Sequence, residues 1–141
     1  MRSIDEALAI RLKTSRVNTC CFSIYSNSAE LHDRWTQKAG SFRNTIESVT
    51  ALKRAGISPK AHLVLTRWNV NDVNDLIHYC ESIGMEEVRI LKLAPAGNAQ
   101  LNWDCISLPY PGFWGELMGR TYLIFGFRSL RKPNEIKGSE D

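Results

Sequence analysis

The sequence predicts an α/β fold: a partial (β/α) barrel with parallel strands and amphipathic helices on its outer face. Three observations carry this. Residues 20–99 read strand, helix, strand, helix, strand. Both intervening helical patterns are amphipathic and stop at a glycine, Gly56 and Gly84. At 141 residues the chain holds a real core, yet it falls short of the roughly 250 residues of an eight-stranded barrel.

Ser3-Ile4-Asp5-Glu6 reads as a capping box, with Ser3 accepting from the Glu6 amide. The helix it opens carries Ile4, Ala7, Leu8 and Leu12 on one face and is expected to end near residues 13–15. Residues 19–26 form the first strand, with Cys20, Phe22 and Ile24 on one face and Cys21, Ser23 and Tyr25 on the other. A polar loop is expected over 27–40, and loops of that length inside compact domains are usually functional. Ser41 is placed to cap a helix over 42–55 whose stripe is Phe42, Ile46, Val49 and Leu52. Gly56 supplies its left-handed end, and Pro59 keeps it from resuming.

The second strand is expected over 60–67, with Leu63 and Leu65 opposite His62, Val64 and Thr66. Asn69 or Asn71 caps the next helix, 71–83, whose stripe is Val73, Leu76, Ile77, Cys80 and Ile83. The third strand, 87–93, runs into Ala94-Pro95-Ala96-Gly97. Two strand–helix–strand units in succession imply a parallel sheet with right-handed crossovers. Beyond Asn98 the pattern weakens, so residues 100–141 are set apart as a poorly patterned segment. Residues 122–127 are a candidate fourth strand, and the last residues are expected to be disordered.

Hydrophobic content of 43% and charged content of 23% are those of an ordinary globular domain. A net charge of +3 without a basic helical face argues against nucleic-acid binding. No run approaches the roughly 20 apolar residues of a membrane span. The first residues mix charge into every turn, unlike a signal peptide, so a cytoplasmic location is expected. Cys20, Cys21, Cys80 and Cys105 match no zinc or iron–sulfur spacing and read as reduced structural thiols. No metal ligand is assigned.

Ligands of parallel α/β sheets sit beyond the carboxyl ends of the strands. That nominates Ser23, Tyr25, Ser26 and Asn27 on the first strand, Thr66, Arg67 and Asn69 on the second, and Leu93, Ala94, Pro95 and Gly97 on the third. No glycine-rich loop follows a strand and no Walker-type lysine is present, which disfavours a phosphate-binding domain.

An ordered series of short motifs resembles the radical S-adenosylmethionine (radical SAM) family, in particular its molybdenum-cofactor and peptide-modifying members. The series is Ser23-Ile24, His32-Asp33, Gly40-Ser41-Phe42, Leu52-Lys53-Arg54-Ala55-Gly56-Ile57, Asn69 to Asp75, and Arg89 to Leu93 with Pro95 and Gly97. It covers roughly residues 3–99 and implies the second half of that family's barrel core. The resemblance implies S-adenosylmethionine contacts from Ser23, Leu93 and Ala94, and substrate-facing positions at Arg89 and Thr66; His32 and Asp33 are taken as structural.

It also implies S-adenosylmethionine and a four-iron four-sulfur cluster as cofactors, with a small-molecule or peptide substrate. The family's CxxxCxxC and strand-two Gly-Gly-Glu are absent. In family order both precede Met1, so the chain is expected to be an N-terminally truncated radical SAM enzyme, inactive alone. The alternative is a non-enzymatic half-barrel that associates with a partner through an exposed sheet edge.

Overall fold

A computed structural model of the chain describes residues 3–108 and 127–129. Three parallel strands, β1 (Thr19–Ser23), β2 (Ser58–Leu65) and β3 (Glu87–Lys92), form an open sheet in sequence order. A short β4 (Phe127–Ser129) adds to β3 antiparallel, Arg89 opposite Phe127. Of the expected fourth strand, residues 122–126 lie outside the described residues, as does the expected disordered terminus.

The alternation read from the sequence holds. Phe22 and Ile24, Ala61, Leu63 and Leu65, and Val88 and Ile90 are buried in one core. Helices cover that face: α1 (Glu6–Thr14), α3 (Ser41–Arg54) and α4 (Val73–Ser82). From α4 it receives Val73, Leu76, Ile77 and Cys80, and from α3 Val49 and Leu52. Gly56 and Gly84 follow the two helices with φ of 72° and 83°, the left-handed terminus expected of each. The opposite face, on which no helix packs among the described residues, carries Cys21 and Ser23, Lys60 and His62, and Glu87, Arg89 and Leu91.

Several local expectations are corrected. The cap of α1 is Asp5, whose carboxylate accepts from Leu8 N at 2.8 Å, and not Ser3. Ala9 is the buried residue of α1, with Ile4 and Leu12 packed beside the core, while Ala7 and Leu8 are exposed. Gly40, at φ 78°, occupies the N-cap of α3, and Ser41 is already its first residue. Phe42 and Ile46 are half-buried, and Thr45 and Ser48 take the sealed places: Thr45 Oγ1 donates to Ser41 O at 3.0 Å, and Ser48 Oγ donates to Asn44 O at 2.6 Å and accepts from Ile4 N at 2.7 Å. Pro59 lies inside β2, where its carbonyl still accepts from Glu86 N. Missing a donor near the start of a strand is tolerable.

The largest difference is in 27–40, which is no open loop: it folds into α2 (Ala29–Thr36). Two further one-turn helices, α5 (Asn98–Leu101) and α6 (Trp103–Ile106), follow β3. Among the described residues no helix is long and apolar enough to cross a membrane.

Candidate functional site

At the carboxyl ends of the strands lies a cleft of about 670 Å³. Tyr25, Ser26 and Asn27 enter it from β1, Thr66, Trp68 and Asn69 from β2, and Leu93 from β3; α2 supplies Leu31, Arg34 and Trp35. Asn98, Asn102 and Ile106 close the far side. The volume is that of a small-molecule or cofactor site.

The floor is tied together by Asn69, which is buried and is not the helix cap its position suggested; Asp72 stands at that cap. Asn69 Oδ1 accepts from Thr66 N at 2.9 Å and from Thr66 Oγ1 at 3.2 Å. Its Nδ2 donates to Val64 O at 3.1 Å and Tyr25 O at 3.4 Å, so one side chain joins the ends of β1 and β2. Thr66 lines the cleft, but its hydroxyl is engaged with Asn69 and accepts from Trp68 N. The Arg67 amide donates to Ile106 O and its Nε to Ser107 O, which seats α6 over the cleft.

The walls are aromatic. Tyr25 and Trp35 stack with centroids 5.8 Å apart at 15°. Trp68 is 66% exposed, and a tryptophan so open at the mouth of a cleft offers an unfilled apolar face. These two tryptophans and Arg34 were missed in the sequence. Their signal was present, since a Trp one residue past a strand's polar end, or inside a supposed polar loop, is out of place in solvent.

The corner behind Trp35 is held by the two residues read as structural. Asp33 accepts from Phe42 N and Ser41 Oγ, both at 2.8 Å, and from Gly40 N, so a carboxylate on α2 caps α3. The hydrogen bond from Phe42 leads in holding this carboxyl below its ordinary value; burial opposes it, and Ser41 and Gly40 add to it. His32 is buried, and its Nδ1 accepts from Tyr25 N at 3.4 Å.

Of the residues nominated for ligand contact, Leu93 and Thr66 line this cleft, whereas Ser23, Arg89 and Ala94 do not. Ser23 pairs with His62, and His62 with Arg89, so all three stand in one row on the face opposite the core. Ala94 is exposed beyond the end of β3. In the adjoining row Glu87 accepts from Lys60 at 2.6 Å and from Arg89 Nε at 2.5 Å. Burial acts to raise the Glu87 carboxyl, but these two cations outweigh it and hold it low. The Nε2 of His62 is buried with no hydrogen-bond partner. Ser23 borders a second groove, of about 590 Å³, along the outer edge of β1.

The thiols are dispersed. Cys20 is half-buried, Cys21 and Cys105 are exposed, and Cys80 is buried in α4, where desolvation pushes its pKa up to about 12. Among the described residues no group of three His, Cys, Asp or Glu side chains is arranged to hold a metal ion.

No protein-family model matches the chain. Two curated relatives do, both named AdoMet-dependent heme synthase. The protein from Oleidesulfovibrio alaskensis is 32% identical over 91 residues, which is 64% of this chain and 24% of that protein. The protein from Nitratidesulfovibrio vulgaris is 33% identical over 91 residues, 64% of this chain and 25% of its own length. The chain therefore spans about a quarter of the relatives it matches. The similarity supports the resemblance to the radical SAM family.

Proposed function

We propose that this chain forms the second half of a radical SAM catalytic core and acts within a longer protein or assembly. The supporting observation is the coincidence of two findings. The stretch of chain that matches the AdoMet-dependent heme synthases amounts to 64% of its length, and the described fold is a parallel β/α array with a cofactor-sized cleft at its carboxyl ends.

The residues present fit one implied cofactor and not the other. Aromatic walls with the polar side chains of Ser26 and Asn27 beside them suit a nucleoside, the base against Tyr25–Trp35 or Trp68 and the ribose on hydroxyl and amide groups. Leu93, in the cleft, is kept as a contact for S-adenosylmethionine and Thr66 as a substrate-facing position; Ser23 and Ala94 as cofactor contacts, and Arg89 as a substrate-facing position, are proposed from outside the cleft. The iron–sulfur cluster is a different matter. Cys20 and Cys21 point to opposite faces of a strand, Cys80 is sealed in a helix as a neutral thiol, and Cys105 lies beyond β3. They do not form a three-thiolate ligand set, so the cluster has to be held by another part of the protein. In the family the cluster supplies the electron that cleaves the sulfonium; this chain supplies a wall that orients the nucleoside and keeps water away.

In this reading the complete protein forms heme, as its relatives' names state for them, and the isolated chain is inactive. The test joins this chain to the preceding part of the Nitratidesulfovibrio vulgaris relative. Reduced with dithionite, the assembly is expected to convert S-adenosylmethionine to methionine and 5′-deoxyadenosine. Asn27→Ala should weaken S-adenosylmethionine binding by about 0.5–1.5 kcal/mol, the value of one neutral hydrogen bond. An assembly that carries its cluster but neither binds nor cleaves S-adenosylmethionine would sink the proposal.

A further inference from the structure

We infer that neutral His32 is the latch that fixes α2 to the end of β1, and so holds one wall of the cleft in place. Beyond the proposed function, this gives His32 the task of positioning Leu31, Arg34 and Trp35, and makes that task dependent on protonation.

The geometry is specific. His32 is 1% exposed, more deeply placed than His62 or His78, although it sits on a helix of only eight residues. Its ring lies 5.7 Å from Tyr25 on one side and 5.4 Å, edge-on, from Phe42 on the other. Nδ1 accepts the amide of Tyr25, the residue that follows the last ladder bond of β1, Ile24 N to His62 O. An acceptor at Nδ1 puts the proton of the neutral ring on Nε2. Protonating Nδ1 replaces that acceptor with a donor aimed at an N–H, and places a charge between two aromatic rings. The next turn of α2 carries Trp35 onto Tyr25, so release of His32 loosens the stacked wall as well.

The electrostatic surroundings agree. Burial moves the pKa of His32 below its ordinary value, and the neighbouring Asp33 carboxylate offsets this only in part. The titratable and charged groups around the ring are Asp33 on its own helix, Tyr25 from β1, and Cys20, Cys21 and Lys38 around the groove it borders; α3 presents Phe42 and Thr45 there. Asp33 is held low by the α3 amides and Cys20 is raised by burial, so neither changes charge where an imidazole titrates. Because the folded pKa is depressed, the latch is whole above the unfolded value of about 6.5, weakens below it and is lost as pH falls through the folded value.

The experiment is amide hydrogen exchange on the whole chain, with protection of 29–36 compared to that of 73–82 in α4. From about pH 7.5 to about pH 5 the protection of α2 should fall several-fold while α4 stays level. His32→Asn, which keeps an acceptor near the Nδ1 position but does not titrate, should protect α2 at both pH values. His32→Phe, which keeps the ring contacts without the acceptor, should leave α2 open at both. Protection of α2 in the parent that does not change with pH overturns the inference, and so does a His32→Asn variant with the parent's full pH response. Neither result bears on whether the cleft binds S-adenosylmethionine.

Discussion

The side-chain amide of Asn69 satisfies backbone at two strand ends where the ladder stops. Thr66 N, Val64 O and Tyr25 O would otherwise meet an incomplete set of partners beside the cleft. Leaving such buried groups unpaired costs about 1–3 kcal/mol, so Asn69→Ala is expected to lower unfolding stability in urea by that amount. Ser23→Ala, at an exposed position, should stay within about 0.5 kcal/mol of the parent. If the two variants are indistinguishable, Asn69 does not join the strands. Asp33 gives a second residue-scale test, through pH. Its folded pKa is depressed, so its contribution is present above the unfolded value of 3.8 and is lost as pH falls through the folded one. Asp33→Ala should be less stable than the parent at neutral pH, with the difference closing in acid below about pH 3.8. A difference that persists unchanged through acid would mean that the α3 cap does not depend on the charge.

Among the elements, α4 shows the packing logic most plainly: four residues at helical spacing are buried, and all four lie on the expected stripe. Leu76→Ala should cost about 2–5 kcal/mol by denaturant titration, as a large-to-small change in a sealed core. Ile46→Ala on α3 should cost clearly less, because Ile46 is only half-buried, and equal losses would contradict that placement. Strong periodicity made α3, α4 and all three parallel strands legible, since burial on one face leaves a repeating signature in the residues themselves. The ends of elements were less so. Asp5, Gly40 and Asp72 stand where neighbouring polar residues looked equally good, and the choice is made by what packs nearby. The helix α2 left the weakest trace. It has eight residues, one of them fully buried, and its stop is Gln37 at φ 53°, a residue type that announces no turn. So short a helix is marginal alone and is held by Asp33 and His32, contacts that exist only once β1 and α3 are in place. For the same reason the aromatic wall of the cleft that α2 carries, Trp35 against Tyr25, went unread. A pairing such as Ser23–His62–Arg89 depends on strand register, which one strand's alternation does not contain.

At the scale of the whole molecule the sheet is asymmetric. The outer edge of β3 is covered by the antiparallel β4, whereas among the described residues no strand pairs with the outer edge of β1. Ile24 N donates to His62 O and Ser58 N to Asn18 O, so the even-numbered residues of β1 turn their backbone toward β2. Alternation then leaves the N–H and C=O groups of Thr19, Cys21 and Ser23 facing outward. Beside them runs the groove of about 590 Å³ lined by Ile4, Cys20, Phe22 and Thr45, where an incoming strand could bury its apolar side chains. No proline, lysine or bulge blunts this edge, the usual defences of a strand meant to stay unpaired. The relatives are about four times as long as the part matched here, so a parallel strand from the remainder of such a protein is the expected occupant. Proline substitution separates the edge from the interior. Ser23→Pro removes only an outward N–H and should leave the chain folded while abolishing its assembly with the preceding part of a relative, followed by size-exclusion chromatography. Ala61→Pro, in the central strand, removes a ladder donor toward β3 and should cost about 3 kcal/mol or more. If Ser23→Pro assembles as well as the parent, the junction lies elsewhere and the bare edge of β1 is not where the barrel continues.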